Sequence, residues 1–443
     1  MSLTMIPRCL LLPVVLCWGG AQAEETAGTP PLPQPLTLTY ALSLADDAHP
    51  TLEAERARME AGAAQQLELS ASMAFKAGVE ARLLAVEPSY LSTNRSRNNS
   101  SVKFRVSKRL YDAGQSELAL EAAGYDQVGR EWDYLDARQR RYLDILARYF
   151  DVLLADMRFL RDDEVMTVAF LRWNKLRDVM ELGRVSELDL LEKESIFNRE
   201  LRNRTLARQQ QQATRLRLAL SLNRPDEPPA ELERPDLPAQ ERELGEVDLL
   251  LKEVLANNPR LKALRSRILA AGSQVGAAKA ADGLVIRGEM ELAAYNRTTG
   301  SSHPVSAGLV MELPLSSGGA ADAALAKQRA LLHERRALLA QSELELRQTV
   351  LDLWFEISAL KVEQDEVEAL GAYRELNLDR SRALYEHELK SNLGDAASKT
   401  VDYQLRRDEA EFKLVLAWAR LDALSGHLLQ SLTVENDGEK RDD

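Results

Sequence analysis

Residues 101–114 read SVKFRVSKRLYDAG, and residues 305–319 read VSAGLVMELPLSSGG. In the first, Val102, Phe104, Val106 and Leu110 alternate with Lys103, Arg105, Ser107 and Arg109. In the second, Val305, Ala307, Leu309, Met311 and Leu313 alternate with Ser306, Gly308, Val310 and Glu312. A period of two over this length is the pattern of a β-strand with one apolar and one polar face, long enough to cross a bilayer when tilted. Each stretch ends in small turn residues, and a long proline-free zone begins there. A partner strand precedes each. Met73, Phe75, Ala77, Val79, Ala81 and Leu83 oppose Lys76, Glu80 and Arg82, and Leu284, Ile286, Met290 and Leu292 oppose Arg287, Glu289 and Glu291. Residues 87–101 and 296–303 read as hairpin loops.

No proline lies between Pro88 and Pro225 or after Pro314. Proline breaks helices, and these zones are rich in Ala, Leu, Glu, Arg and Gln, so each reads as a very long helix. One is expected from Gln115 to about Leu182, the other from Ala320 to about His387. At 1.5 Å per residue each is roughly 100 Å long. Such helices need a partner along their whole length. Trp132, Leu135, Leu143, Leu146, Phe150, Leu153, Met157 and Leu160 form a heptad-like stripe for one. Gly183 can take the left-handed conformation that ends the first long helix, and Ser186 can cap a returning one that runs to Leu222. Residues 223–245 carry five prolines and many acids, and read as a linker or small surface domain.

The two halves repeat. His49-Pro50-Thr51-Leu52 aligns with Asn258-Pro259-Arg260-Leu261. Leu110 to Gly114 aligns with Leu315 to Gly319, Tyr149-Phe150-Asp151 with Trp354-Phe355-Glu356, and the turn at 183–189 with 388–394. The expected organisation is a signal peptide (1–23), a Pro-rich N-terminal segment (24–35), a first repeat (36–222), the Pro-rich linker (223–245), a second repeat (246–426) and a polar tail (427–443). Each repeat holds a helix, two strands and a long helical hairpin.

Arg8, the apolar stretch from Cys9 to Trp18 and Ala21-Gln22-Ala23 fit a secretory signal cleaved after Ala23. A lipoprotein reading of Cys17 is weakened by the bulky Leu16 before it. Both cysteines lie in this segment, so the mature chain is expected to lack disulfides and thiolate sites. The net charge of -12 argues against nucleic-acid binding. The five histidines are scattered without zinc spacing, and no phosphate-binding glycine loop occurs. Asp162-Asp163-Glu164 reads as a solvated helix face. No enzyme is expected, and no cofactor or metal.

Four strands cannot close a barrel, and an open sheet edge cannot sit in lipid. If the strands span a membrane, several chains must share one barrel, with the charged face on water and the apolar face on lipid. The pore-lining face is then Lys76, Glu80, Arg82, Lys103, Arg105, Arg109, Arg287, Glu289 and Glu291. The rival reading is a periplasmic coiled-coil scaffold or adaptor that does not span the membrane.

The residues Leu36-Thr37-Leu38, His49-Pro50 with Asn258-Pro259, the two strand-to-helix turns, and Gly183 with Ser186, Leu188 and Asp189 occur in an order that resembles the TolC family of outer-membrane efflux proteins. The resemblance covers about Leu36 to Gly426. It implies a mainly α fold with long antiparallel helical hairpins (an α-barrel) plus four transmembrane β-strands per chain. A homotrimer would share a 12-stranded barrel. It also implies an outer-membrane channel of a Gram-negative bacterium, extending into the periplasm. The channel would be a passive exit duct of a tripartite efflux or type I secretion system, joined by a periplasmic adaptor (membrane fusion protein) to an inner-membrane pump. The resemblance places an adaptor-docking tip at Gly183, Arg184, Val185 and Ser186. Departures are visible. Glu388 stands where the family often has Gly, and Gly394 and Ala397 stand at the gate acids' positions. Asp395, one position off, is the candidate gate.

Overall fold

The computed structural model describes residues 31–181, 185–237, 242–298, 302–387 and 392–429. The expected signal peptide, most of the polar tail, and Gly183 and Arg184 at the first tip lie outside them, as does Glu388.

The first repeat runs α1 (Leu38–Ser43), a 3-10 turn (Leu44–Asp46), α2 (Pro50–Met73), β1 (Lys76–Arg82), β2 (Ser101–Tyr111), α3 (Gln115–Glu181) and α4 (Glu187–Ser221). The second runs α5 (Val247–Asn257), α6 (Pro259–Ala280), β3 (Val285–Tyr295), β4 (Val305–Glu312), α7 (Ala320–Glu386) and α8 (Leu393–Ser425). Both long helices have 67 residues and end within one residue of the expected positions. Met73 closes α2, so it does not belong to the strand face. Helices α2 and α4 lie along α3, and α6 and α8 along α7. Helix α3 also packs on α6 and α8, which joins the halves. No described helix is long and apolar enough to cross a membrane.

The duplication is visible in hydrogen bonds. Between β2 and α3, Ala113 and Gly114 take φ of 56° and 84°; between β4 and α7, Gly318 and Gly319 take 60° and 84°. The Gln115 amide donates to the Asp112 carbonyl (3.0 Å), and that of Ala320 to the Ser317 carbonyl (3.1 Å). The Asp112 carboxylate accepts from the Ser116 amide, as the Ser317 hydroxyl accepts from the Ala321 amide. Two successive left-handed residues turn the chain sharply from strand to helix. Glycine adopts them freely, so three of the four positions are glycine. His49 and Asn258 are also equivalent caps. Each accepts a backbone amide through its side chain ahead of a proline in the first turn.

The sheet is antiparallel in the order β1-β2-β3-β4. Its register places Lys76, Glu80 and Arg82, Lys103, Arg105 and Arg109, and Arg287, Glu289 and Glu291 on one face, as expected. Glu312, opposite Val285 at the end of β4, also carries charge there, through its ion pair with Arg287. The other face is apolar and bare: Val79 is 70% exposed, Leu309 61% and Met311 63%. One residue breaks it. Lys108 pairs with Gly288 in the register, two places from Val106, on the apolar side.

Buried side chains concentrate at the middle of the long helices. One cluster joins Leu36, Ala41 and Leu44 to Ile145, Tyr149, Phe150, Val152, Leu218 and Phe412. A second joins Val254 and Leu261 to Val350, Leu353, Ile357, Leu414 and Trp418. Phe150 and Phe412 stack at 4.4 Å, holding α3 to α8. The heptad-like stripe is only partly right. Leu146 and Phe150 are buried, but Leu160 is 49% exposed, and Ile145, Tyr149 and Val152 carry the core instead. The linker is not confined to the surface either. Leu232 and Leu237 pack against the first cluster, and Leu232 bridges Leu36 in parallel. The described residues of the segment form no helix or strand of their own, so their apolar side chains can be buried only against the helical wall.

Candidate channel wall, tips and collar

The polar face of the sheet is laced with ion pairs. Glu291 accepts from Lys103 Nζ (2.8 Å) and Arg105 Nη2 (2.9 Å) across β2 and β3. Glu80 takes Arg82 (2.9 Å) and Arg105 (3.7 Å). Arg287 pairs with Glu312, and Arg109 with Asp112 (3.2 Å). Cations outnumber carboxylates on this face although the whole chain is acidic. Charge location, not the sum, sets the local field. Cross-strand pairs of this kind fix register on a wetted sheet, each by a few tenths to about 1 kcal/mol.

At the far ends of the long helices the two hairpins differ. Ser186 caps α4: its Oγ accepts from the Asp189 amide (3.2 Å) and donates to the Asp189 carboxylate (2.8 Å). Val185 precedes it. Helix α8 starts at Leu393 without a side-chain cap on Asn392. Asp395 instead forms an ion pair with Arg172 of α3 at 2.5 Å. Gly394 lies so close to α3 that an added Cβ would stand 2.9 Å from Val168 Cγ2. Asp395 is therefore a clamp between two helices of one chain, not a bare turn residue. The Asp162 to Glu164 run is likewise engaged, since Asp162 pairs with Arg161 (2.7 Å) and Asp163 with Arg204.

The sequence reading missed the residues that fasten the N-terminal segment and the linker to the helices. Arg141, on α3, is buried and donates to the carbonyls of Ala45 (2.7 Å), Leu44 (3.1 Å) and Ser221 (3.2 Å). The Ala45 and Ser221 carbonyls lie in the 3-10 turn and at the last residue of α4, where backbone acceptors lose helical partners and a cation is favoured, while the Leu44 carbonyl also accepts from the Asp47 amide (3.2 Å). Burial pulls the guanidinium pKa below its ordinary value, against the opposing pull of Asp47, Asp144 and Asp46. Tyr149 Oη sits 2.8 Å from the Leu36 carbonyl and 2.5 Å from that of Glu233, tying the N-terminal segment to the linker. Burial raises its pKa. Arg234 reaches Asp408 and Glu411, and Arg242 reaches Asp422, so the linker is clipped to α8. The repeat held a signal for Arg141: its counterpart is Leu346, so a cation has replaced an apolar core residue.

Among the described residues no group of three His, Cys, Asp or Glu side chains could hold a metal ion.

Residues 250–427 match the family described as outer membrane efflux protein. No curated protein sequence matches the chain. Among solved structures, a membrane protein from Pseudomonas aeruginosa superposes with a TM-score of 0.72 at 20% identity, covering 88% of this chain and 90% of that one. The Campylobacter jejuni CmeC outer membrane channel gives 0.71 at 13% identity over 97% of this chain and 94% of that one. The Vibrio cholerae outer membrane protein VceC gives 0.67 at 17% identity, covering 89% and 95%. The chain thus carries the fold of these solved channels, and its second half matches the outer membrane efflux protein family model.

Proposed function

We propose that this protein is an outer-membrane efflux channel: a homotrimeric exit duct that an inner-membrane pump drives through a periplasmic adaptor. One observation carries the reading. A four-stranded sheet with one charged face, one bare apolar face and two unpaired edges sits at one end of helices about 100 Å long. Open edges are not tolerated in lipid, so β1 of one copy must pair with β4 of the next. Three copies give the 12 strands that the resemblance implies. The family match and the fold of the solved channels support the same conclusion. The duct itself needs no energy source, and its work is to present a continuous wetted wall. Lys76, Glu80, Arg82, Lys103, Arg105, Arg109, Arg287, Glu289 and Glu291 line that wall. The adaptor docks at the tip formed by Gly183, Arg184, Val185 and Ser186, and the Arg172–Asp395 clamp steadies the second tip.

Fractionation followed by native mass measurement in detergent tests the proposal. The expected result is recovery with outer membranes after a carbonate wash, as three copies of the 49.5 kDa chain less its leader. A soluble monomer or dimer would favour the periplasmic scaffold and remove the duct. Docking has its own test, in which Gly183→Val abolishes export while the trimer persists. Normal export would move the adaptor elsewhere.

A further inference from the structure

The apolar face of the sheet carries one charged side chain among its described residues, Lys108. Its cross-strand neighbour on β3 is Gly288, which has no side chain, and continuing the β1–β2 register places Phe75 on its other side. The ammonium lies 4.6 Å from the centre of the Phe75 ring. No ion pair or hydrogen bond of Lys108 to a described residue accompanies that contact. On the opposite face every named charged residue except Lys76 and Glu289 has an ion-pair partner, and Lys108 differs from Lys76 in standing on the apolar side.

Its height is also fixed. Strand β2 ends at Tyr111 and α3 begins at Gln115, so Lys108 lies about three residues, on the order of 10 Å along the strand, from the helical end. Tyr111, 52% exposed, and Phe75, 71% exposed, supply aromatic rings at that level, as at a membrane interface. A lysine on the lipid side is costly at the bilayer midplane and nearly free near the interface, where its stem can carry the ammonium to the headgroups.

We infer that Lys108, with Phe75 and Tyr111, forms a binding site for the phosphate of a phospholipid in the leaflet facing the helices. The inference rests on the membrane-spanning reading of the sheet. The Phe75 ring steers the ammonium, Leu110 and Leu309 close over Gly288 on the β3 side, and the bare leucine, valine and methionine side chains take the acyl chains.

Native mass spectrometry of the full chain in mild detergent, with phosphatidylglycerol added back, tests the site. The wild type should retain the lipid at one per chain. Lys108→Met should weaken retention at least about fivefold, Lys108→Arg should restore it, and Lys103→Met on the polar face should leave it unchanged. Diacylglycerol, which lacks the phosphate, should bind no better to the wild type than to Lys108→Met. Equal phosphatidylglycerol retention by Lys108→Met and wild type overturns the site, as does equal retention of diacylglycerol and phosphatidylglycerol. Preferential retention of lipopolysaccharide would overturn the leaflet assignment. The same spectra report the oligomer. A trimer that loses no lipid in Lys108→Met removes only this site, whereas a soluble monomeric wild type removes the membrane reading itself.

Discussion

Phe150 on α3 and Phe355 on α7 occupy the same position of the repeat, yet one is 1% exposed and the other 63%. The helices that carry them have the same length and the same strand-to-helix turn. The difference is place. Helix α3 has neighbours on both sides within the chain, α2 and α4 on one and α6 and α8 on the other. Helix α7 stands at an edge, where Leu344, Phe355, Val362, Tyr373 and Leu376 are left bare. A duplicated sequence that places the same apolar residue inside and outside one chain fits the proposed assembly. In the trimeric ring we propose, the α7 edge would meet the α2–α4 edge of the next copy, and Phe355 would gain the surroundings Phe150 already has.

The comparison breaks most visibly at these two rings. Phe150→Ala should cost about 3–5 kcal/mol of protomer stability, the usual range for a buried phenylalanine. Phe355→Ala should leave protomer unfolding within about 0.5 kcal/mol and instead shift the balance from trimer to monomer. Thermal unfolding beside native mass separates the effects, and equal loss of protomer stability in both variants would contradict the edge assignment.

Arg141→Leu gives the first repeat the residue of the second. It removes the Arg141 donor from the Ala45 and Ser221 carbonyls and leaves the Leu44 carbonyl with only the Asp47 amide, so the urea midpoint should fall by the equivalent of about 2–4 kcal/mol. An unchanged midpoint would mean that the packing of the 3-10 turn and the α4 end on α3 does not depend on this side chain.

A smaller effect belongs to Asp46, for which the second repeat has Leu255. Arg138 donates to its carboxylate at 2.5 and 2.6 Å, and this bond, against opposing desolvation, holds the carboxyl pKa below the usual value. A depressed folded pKa contributes stability above the unfolded value near 3.8, lost as pH falls through the folded one. Stability should therefore decline below about pH 4 more steeply in the wild type than in Asp46→Asn. The side chain is 43% exposed, so the difference is small, and parallel acid profiles would remove the link.

The smallest effect on stability is expected at the tip. Arg172→Ala or Asp395→Ala removes an ion pair whose arginine is half exposed, at a cost below about 1 kcal/mol. Channel conductance should nevertheless rise, because α8 loses its tie to α3. Unchanged opening and ion selectivity in Asp395→Ala would take the residue out of the gate.

Much of this was legible in the chain. Missing prolines marked the zones of α3 and α7, and the Gly183 turn with its repeat counterpart set their C-terminal ends to within a residue. Period-two alternation placed all nine charged residues of the polar face on one side, since a strand has only two faces. Lys108 interrupts the apolar alternation between Val106 and Leu110, so an apolar pattern alone does not assign it a face. The register and the bulge between Arg109 and Tyr111 show which side it takes. Arg141, Tyr149, Arg234 and Arg242 were illegible for a different reason. Their partners are carbonyls, carboxylates and rings tens to hundreds of residues away, and no local pattern marks such a contact. The linker's share in the core was hidden likewise, because proline content reports what cannot be helical and not what can be buried.

The sequence by itself determined the repeat, the element lengths and the two-faced strands, because propensity and periodicity act between near neighbours. The tertiary structure decided which copy of each repeated residue is buried, which carbonyls Arg141 closes, and which helix remains an edge. Those outcomes depend on the packing of α3 between its neighbours, and packing is settled only when distant segments meet.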